Sequence, residues 1–280
     1  MYIPDSYIEE LIASDVPSGI DLTTHVLGIG DEPGCMEYFT RNEALLCGTE
    51  EAARVFARFG CEVIEAKPSG SWLGEGDVFM VVEGPASGLH MGWKVCLNIF
   101  EFYSALATKA KKMVDLAHEG NPRCEVLTTR KVMPGTKPLD TKAVMLGGAF
   151  PHRLGMSETA LVFDHHLTFY GGLEKFIEDL PMIMTRTCEK KLFIETDVAN
   201  AARLVEAGVD GVQLDKVPVE EVAALVPQLR AINPRITIIA AGGVNLKNAK
   251  DYAATGVDGL ATTCLHFANP LDMSVRMQRR

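Results

Sequence analysis

Between residues 124 and 262 the chain repeats one arrangement: a short apolar run, then polar residues, then a stretch with helical spacing. The runs are CEVLT (124–128), ALVFD (160–164), LFIET (192–196), GVQLD (211–215), ITIIA (236–240) and DGLAT (258–262). Strands this short and apolar on both faces belong in a parallel sheet. Each return to a parallel strand needs a crossover, and the crossover helix buries a face of the sheet. Two of the units resemble each other, AGVDGVQLD at 207–215 and TGVDGLATT at 255–263. An α/β barrel accounts for that recurrence better than an open doubly wound sheet, which periodicity alone leaves as the alternative.

The first hundred residues have no such rhythm. Their patterns predict a helix over 5–13, strands near 35–41 and 43–48, a helix over 50–58, and strands near 61–65 and 78–83, a small α+β layer. A long helical stretch from 91 to 118, with few breakers, marks the hinge between two domains, which a chain of 280 residues accommodates. Hydrophobic residues at 47% and charged residues at 23% leave no room for long disorder. No apolar run reaches the roughly 18 residues a membrane helix requires, and the opening MYIPDSYIEE lacks a basic region before an apolar one. The expectation is a cytoplasmic protein with no membrane partner. Seven cysteines without a CxxC pair read as reduced structural thiols. The net charge of −10 speaks against a nucleic-acid surface. A small anionic substrate would need a local cationic cluster inside this acidic chain.

In a barrel the residues that follow each strand form the active-site face. Here they are Thr129–Arg130–Lys131, Asp164–His165–His166, Glu195–Thr196–Asp197, Asp215–Lys216, Gly242–Gly243 and Thr262–Thr263. Any one of them alone reads as a solvated turn. Together, Arg130–Lys131 and His152–Arg153 make two cationic pairs suited to carboxylate or phosphate. Glu195 and Asp215, at the ends of consecutive strands, direct two acids into one space, where they suit a Mg²⁺-held sugar diphosphate or positive charge at an anomeric carbon. A lone acid at such a place is usually a helix N-cap. The Gly242–Gly243 turn, with Asn245 as N-cap of the next helix, suits a phosphate at a helix start. Asp164–His165–His166 lacks a third ligand at helical spacing, which argues against zinc.

The chain also resembles the quinolinate phosphoribosyltransferases, or nicotinate-nucleotide pyrophosphorylases, and among them the ModD-type pyrophosphorylases found beside molybdate-transport genes. The likeness lies in DVPSGIDLTT (15–24), LNIFEFYSALAT (97–108), TTRKVMPGTKPLDTKAVMLGGAFPHRLGM (128–156), ALVFDHH (160–166), IETD (194–197), GVQLD (211–215) and AAGGV (240–244). It implies an N-terminal α/β sandwich domain over 1–108, an incomplete α/β barrel over 109–266 and a tail, 267–280, packing back on the first domain. It implies a homodimer with shared active sites, open to higher assembly. The implied reaction moves phosphoribosyl from phosphoribosyl pyrophosphate to a small aromatic acid with Mg²⁺ and releases pyrophosphate. Carried over by position, Arg130, His152 and Arg153 hold the acceptor, and Lys131 lies between acceptor and diphosphate. Glu195 and Asp215 hold ribose and metal, the latter directly or through water, and Ala241, Gly242, Gly243 and Thr263 line the 5′-phosphate.

This sequence departs from the family pattern at four places. Lys94 stands where an arginine reaches into the neighbouring subunit's site, and Phe163 stands where a lysine precedes the aspartate of KDNH. The phosphate loop reads AAGG for SSGG, and Thr263 replaces a glycine. Fewer bidentate cations favour an acceptor less charged than quinolinate. The alternatives are the authentic carboxylating enzyme of NAD synthesis and a non-catalytic anion or nucleotide binder linked to molybdate transport.

Overall fold

The computed structural model describes residues 1–280, which divide into two compact units. The first comprises Met1–Lys111, Met133–Gly147 and His266–Arg280; the second comprises Lys112–Val132 and Gly148–Leu265. In chain order the first unit holds α1 (Asp5–Asp15), α2 (Leu22–Leu27), β1 (Pro33–Thr40), β2 (Ala44–Leu45), α3 (Thr49–Arg58), β3 (Glu62–Ala66), β4 (Trp72–Leu73) and β5 (Val78–Pro85). The long helix α4 (Ala86–Gly120) runs on into the second unit, where β6 (Glu125–Thr128) follows, and α5 (Lys137–Leu146) belongs to the first unit again. The second unit continues with β7 (Phe150–Pro151), β8 (Ala160–Val162), α6 (Asp164–Tyr170), α7 (Leu173–Thr185), β9 (Leu192–Thr196), α8 (Val198–Ala207) and β10 (Gly211–Asp215). It ends with α9 (Val219–Ile232), β11 (Thr237–Ala241), α10 (Ala249–Ala254) and β12 (Gly259–Thr262), and β13 (Met273–Arg279) closes the chain in the first unit. No helix is long and apolar enough to cross a membrane.

The first unit is built on an antiparallel sheet of order β13-β1-β5-β3. Alternation along β1 buries Met36, Tyr38 and Thr40 on one face. The Tyr38 ring meets Phe100 edge-on at 5.1 Å, and its hydroxyl donates to the Trp93 carbonyl at 2.9 Å, so a buried phenol keeps a partner. Gly92 lets α4 come close, since a Cβ there would lie 2.4 Å from the Phe56 ring. The strand expected over 43–48 shrinks to Ala44–Leu45. Side chains of α4 take up its backbone instead, with Leu45 N–H donating to Thr108 Oγ1 at 2.9 Å and Cys47 N–H to Ser104 Oγ at 3.0 Å.

Residues 133–147, inside the range expected for the barrel, belong to the first unit. Leu139 and Ala143 lie in its apolar core. Between them Lys142 is buried against α3, its ammonium 2.5 Å from Glu51 Oε2 and 2.7 Å from Glu50 Oε2. Burial alone would raise the Glu50 carboxyl, yet hydrogen bonds from Lys142 and Ser69 hold it down to about 2, against an ordinary 4.5. A depressed carboxyl contributes stability above its unfolded value and loses it as pH falls through the folded one. Urea unfolding followed by circular dichroism is therefore expected to show stability declining from about pH 4.5 toward about pH 2. Glu50→Gln should flatten that decline; an unchanged profile would show that the ion pair does not set it.

The second unit is a seven-stranded, all-parallel sheet of order β7-β6-β12-β11-β10-β9-β8. β7 and β8 lie at opposite ends of that order and do not pair, so the barrel is open along one side. One parity faces inward: Leu127, Leu161, Phe163, Phe193, Ile239, Ala241 and Ala261 form a single apolar cluster. The other parity, including Ile194, Val212, Leu214, Ile238, Ala240 and Leu260, is buried on the helix side. Both faces being apolar is what makes each strand read as a continuous run.

Candidate active site

Parity and register place the polar residues. Glu195 follows Phe193 by two and faces inward, as does Asp215, two after Gln213, and Thr129 and Thr263 continue the inward rows of Leu127 and Ala261. Gln213 pairs with Glu195 in the ladder, and Asp215 pairs with Ala241. The register thus sets the two acids one step apart on consecutive strands.

The Gln213 amide donates to Glu195 Oε2 at 2.7 Å, orienting that carboxylate. Burial pushes the Glu195 carboxyl up, and the charges of Asp215 and Asp164 push it further, against the Gln213 hydrogen bond that favours the ionised form. A cavity of about 240 Å³ beside them is lined by Asp164, Glu195, Thr196, Asp197, Asn200 and Asp215. Asp197 caps α8, accepting from Asn200 N–H at 3.0 Å. Glu195 and Asp215 cap nothing; with Glu195 Oε2 taken by Gln213 and Asp215 Oδ2 resting against Lys216 at 3.3 Å, Glu195 Oε1 and Asp215 Oδ1 are left for a ligand. No three histidine, cysteine or acidic side chains converge as an all-protein metal cage. Two carboxylates with room for water and substrate oxygens are the donor set a magnesium ion takes when phosphates supply the rest, so the residues present fit such an ion.

Cations occupy other strand ends. Arg153 lies with its guanidinium 5.9 Å over the Phe163 ring and donates weakly to the Thr159 carbonyl at 3.4 Å. Burial lowers its pKa, the charge of Arg130 lowers it further, and Glu158 offsets only part. Two guanidiniums that repel one another in this way would gain from an anion between them. The side-chain nitrogens of Arg130, Lys131 and His152 make no hydrogen bond within the chain. His152, expected from sequence as half of a cationic pair, has its pKa lowered by burial and by Arg153, so at neutral pH it is an uncharged imidazole. Lys94 belongs to the first unit, on α4, exposed, with its ammonium 4.6 Å over the Trp93 ring.

Gly242 and Gly243 have φ of 79° and 88°, a left-handed path that glycine takes without strain. Their N–H groups carry no hydrogen bond to the protein. The expected helix start is displaced: α10 begins at Ala249, and Asn245 is not its N-cap. The Asn245 and Asn248 amides both donate to the Gly243 carbonyl, at 2.7 and 3.2 Å, and fasten the turn instead. Thr263 Oγ1 lies 2.9 Å from Thr129 Oγ1 and ties β12 to β6 above the cluster. His166 Nδ1 accepts from Phe163 N–H at 3.0 Å, and the two rings stack 5.7 Å apart.

The structure thus brings together Arg130, Lys131, His152, Arg153, Phe163, Glu195, Asp215, Ala241, Gly242, Gly243 and Thr263 on the carboxyl-terminal edge of one sheet. Sequence reasoning passed over Gln213, although a glutamine in an otherwise apolar strand, two residues before an acid, announces a polar residue on the same face. A family profile described as the quinolinate phosphoribosyl transferase N-terminal domain matches residues 21–104, and one for the C-terminal domain of the same enzyme matches residues 106–276. The chain belongs to the quinolinate phosphoribosyltransferase family. It is a phosphoribosyltransferase of the nicotinate-nucleotide pyrophosphorylase type.

Within this family it is 37% identical to a Rhodobacter capsulatus protein named pyrophosphorylase ModD, over 91% of this chain and 97% of that one. It is 31% identical to an Archaeoglobus fulgidus protein named nicotinate-nucleotide pyrophosphorylase (carboxylating), over 85% and 92%. Among solved structures, NadC from Streptococcus pyogenes superposes with a TM-score of 0.89 at 22% identity, covering 100% of this chain and 99% of that one. The nicotinate-nucleotide pyrophosphorylase from Ehrlichia chaffeensis does so with a TM-score of 0.89, also at 22% identity, covering 99% and 100%. The fold of the quinolinate phosphoribosyltransferases, a sandwich domain and an incomplete α/β barrel, is the fold of this chain.

Proposed function

We propose that the barrel mouth transfers phosphoribosyl from phosphoribosyl pyrophosphate to a small, flat heteroaromatic acid, with release of pyrophosphate. The observation that carries this reading is the separation of charge on one edge. Burial and the neighbouring charges of Asp215 and Asp164 raise the proton affinity of Glu195, while the guanidiniums Arg130 and Arg153 repel each other, and an undonated glycine turn follows β11. Such opposed, uncompensated groups suit a substrate that carries anionic phosphates and develops positive charge on its sugar ring.

In the reaction the bond from the anomeric carbon to the diphosphate oxygen breaks, and a bond from that carbon to a ring nitrogen of the acceptor forms. Pyrophosphate leaves with the bonding electron pair. Glu195, aimed by Gln213, and Asp215 would hold the ribose hydroxyls and favour charge at the anomeric carbon over the neutral ground state. Magnesium, held by the same two acids directly or through water, would neutralise the departing diphosphate. Arg130 and the uncharged His152 would donate to the acceptor carboxylate, Arg153 would pair with it over the Phe163 face, and Lys131 would meet the diphosphate. Phe163 offers a ring face where a further cation would favour a more charged acceptor. The N–H groups of Gly242 and Gly243, with Ala241 and Thr263 flanking, would receive the 5′-phosphate. Exposed Lys94 would complete the site of a second subunit in a homodimer.

The deciding assay is pyrophosphate release from phosphoribosyl pyrophosphate and Mg²⁺ with quinolinate, nicotinate and a panel of heteroaromatic monoacids, with Glu195→Ala as control. Release with a monoacid and little with quinolinate is expected. Comparable release with quinolinate would make this an enzyme of quinolinate turnover, and no release with any acceptor would overturn the transferase reading.

A further inference from the structure

Lys216, the residue after Asp215, is the one non-glycine residue with a positive φ, at 56°. That region crowds the Cβ of an L-residue, and lysine has no local side-chain hydrogen bond of the kind that lets asparagine tolerate it. What the conformation secures for the backbone is a bond from Lys216 N–H to the Ala241 carbonyl at 2.8 Å, one step beyond the β10–β11 ladder. Asparagine or glycine would make that bond with less strain. The reason for a lysine therefore lies in its side chain.

The side chain is 80% exposed and has one partner, Asp215 Oδ2 at 3.3 Å. An exposed lysine–carboxylate pair is weak and exchanges readily. Its stem passes close to the glycine turn: a Cβ on Gly242 would lie 2.5 Å from Lys216 Cγ, 2.6 Å from Lys216 N and 2.5 Å from Asp215 Oδ1. Gly242 lacks a side chain where this stem and this carboxylate pass. The ammonium is thus tethered between the acid cluster of Asp164, Glu195 and Asp215 and the turn whose N–H groups are free. The other cations of the mouth, Arg130, Lys131 and Arg153, follow β6 and β7, and Lys247 lies farther along the loop from β11 to α10, so Lys216 is the cation that directly follows β10 and touches the glycine turn.

We propose that Lys216 is a further phosphate-binding residue, an exchangeable cation that rests on Asp215 and moves to the sugar phosphate seated at the Gly242–Gly243 turn. A compact ammonium on a flexible stem suits that exchange better than a planar guanidinium fixed by two bonds. Its departure leaves Asp215 free for the ribose or the metal, so phosphate binding and acid availability are coupled. The inference rests on the phosphoribosyl reading of the same mouth.

The test is calorimetric titration of ribose 5-phosphate, without acceptor or metal, into the wild type, Lys216→Asn and Lys216→Arg, with thermal melts of all three. Asparagine keeps the left-handed backbone and removes the charge. The expected result is a loss of affinity of about tenfold or more in Lys216→Asn. Most of the affinity should remain in Lys216→Arg, and Lys216→Asn should melt no lower than the wild type. Equal affinity in the wild type and Lys216→Asn overturns the proposal, as does no binding by the wild type. Weakened binding in both variants together with lowered melting points overturns it too, because that is the mark of a structural role. Lys216-dependent binding in a chain that never releases pyrophosphate would sink the transferase reading and leave this one standing.

Discussion

Replacing Glu195 by glutamine is expected to lower the rate of pyrophosphate release by about a hundred- to a thousand-fold, the loss typical of removing one preorganised electrostatic group from a transition state. Glutamine preserves the volume and can still bond Gln213, so the loss measures charge rather than packing. The same variant should melt slightly higher at neutral pH. Burial, Asp215 and Asp164 all disfavour the ionised carboxylate, so the folded protein gains when that charge is absent. Activity lost with stability gained is the pattern of a group held for function against its own interest. For the wild type, the raised Glu195 carboxyl should make activity fall on the acid side at a higher pH than an ordinary glutamate would give. Steady-state kinetics from pH 5 to 8 with calorimetry of both proteins checks each part, and a fully active Glu195→Gln would remove Glu195 from the chemistry.

The second large effect concerns stability. Lys142 and Glu51 have side chains only 9% and 3% exposed, and Lys142 is the cation within reach of that carboxylate. Lys142→Met deletes the ammonium while filling much of its volume, and leaves Glu51 buried without its countercharge. Removing one partner of a buried pair costs about 3–5 kcal/mol. The lower end is expected here, because Glu50, the other partner, has a side chain 51% exposed and can turn to water. Adding Glu51→Leu to Lys142→Met should recover most of the loss, because an apolar pair needs no compensation. Chemical denaturation of the two variants decides this. A Lys142→Met protein as stable as the wild type would show that the ion pair is not what fastens α5 to α3.

The barrel was legible because β6, β9, β10, β11 and β12 are apolar on both faces and long enough to show it. β7 was not, since two residues, Phe150 and Pro151, carry no period. The site residues at strand ends followed from the same regularity, and the resemblance then supplied their roles. Two features lay beyond one-dimensional reading. Residues 133–147 sit between barrel strands in sequence, and their place in the first unit depends on where Lys142 finds its acids. Asn245 has the residue type of an N-cap, but three-dimensional competition for the Gly243 carbonyl decides its use. β13 was expected only as a returning tail. Its charges obscure a strand, and they are answered across the sheet by Glu37, Glu32 and Glu83, which meet Arg276, Arg279 and Arg280.

The two sheets share a property that bears on synthesis. β12 lies between β6 and β11, and β13 pairs with β1 from Gly34 opposite Arg279 to Thr40 opposite Met273. A ribosome makes β12 and β13 each after every other strand of its sheet. Until they emerge, β1 and β6 each lack a partner on one side, although their other neighbours, β5 and β7, are already made. Neither sheet can be completed in passing, and each must wait for a strand made after all its other strands. A chain released by a nonsense codon between Pro85 and Met273 would therefore leave β1, in place of the charged β13, as an edge of the sheet in the first unit, where strand-to-strand aggregation begins.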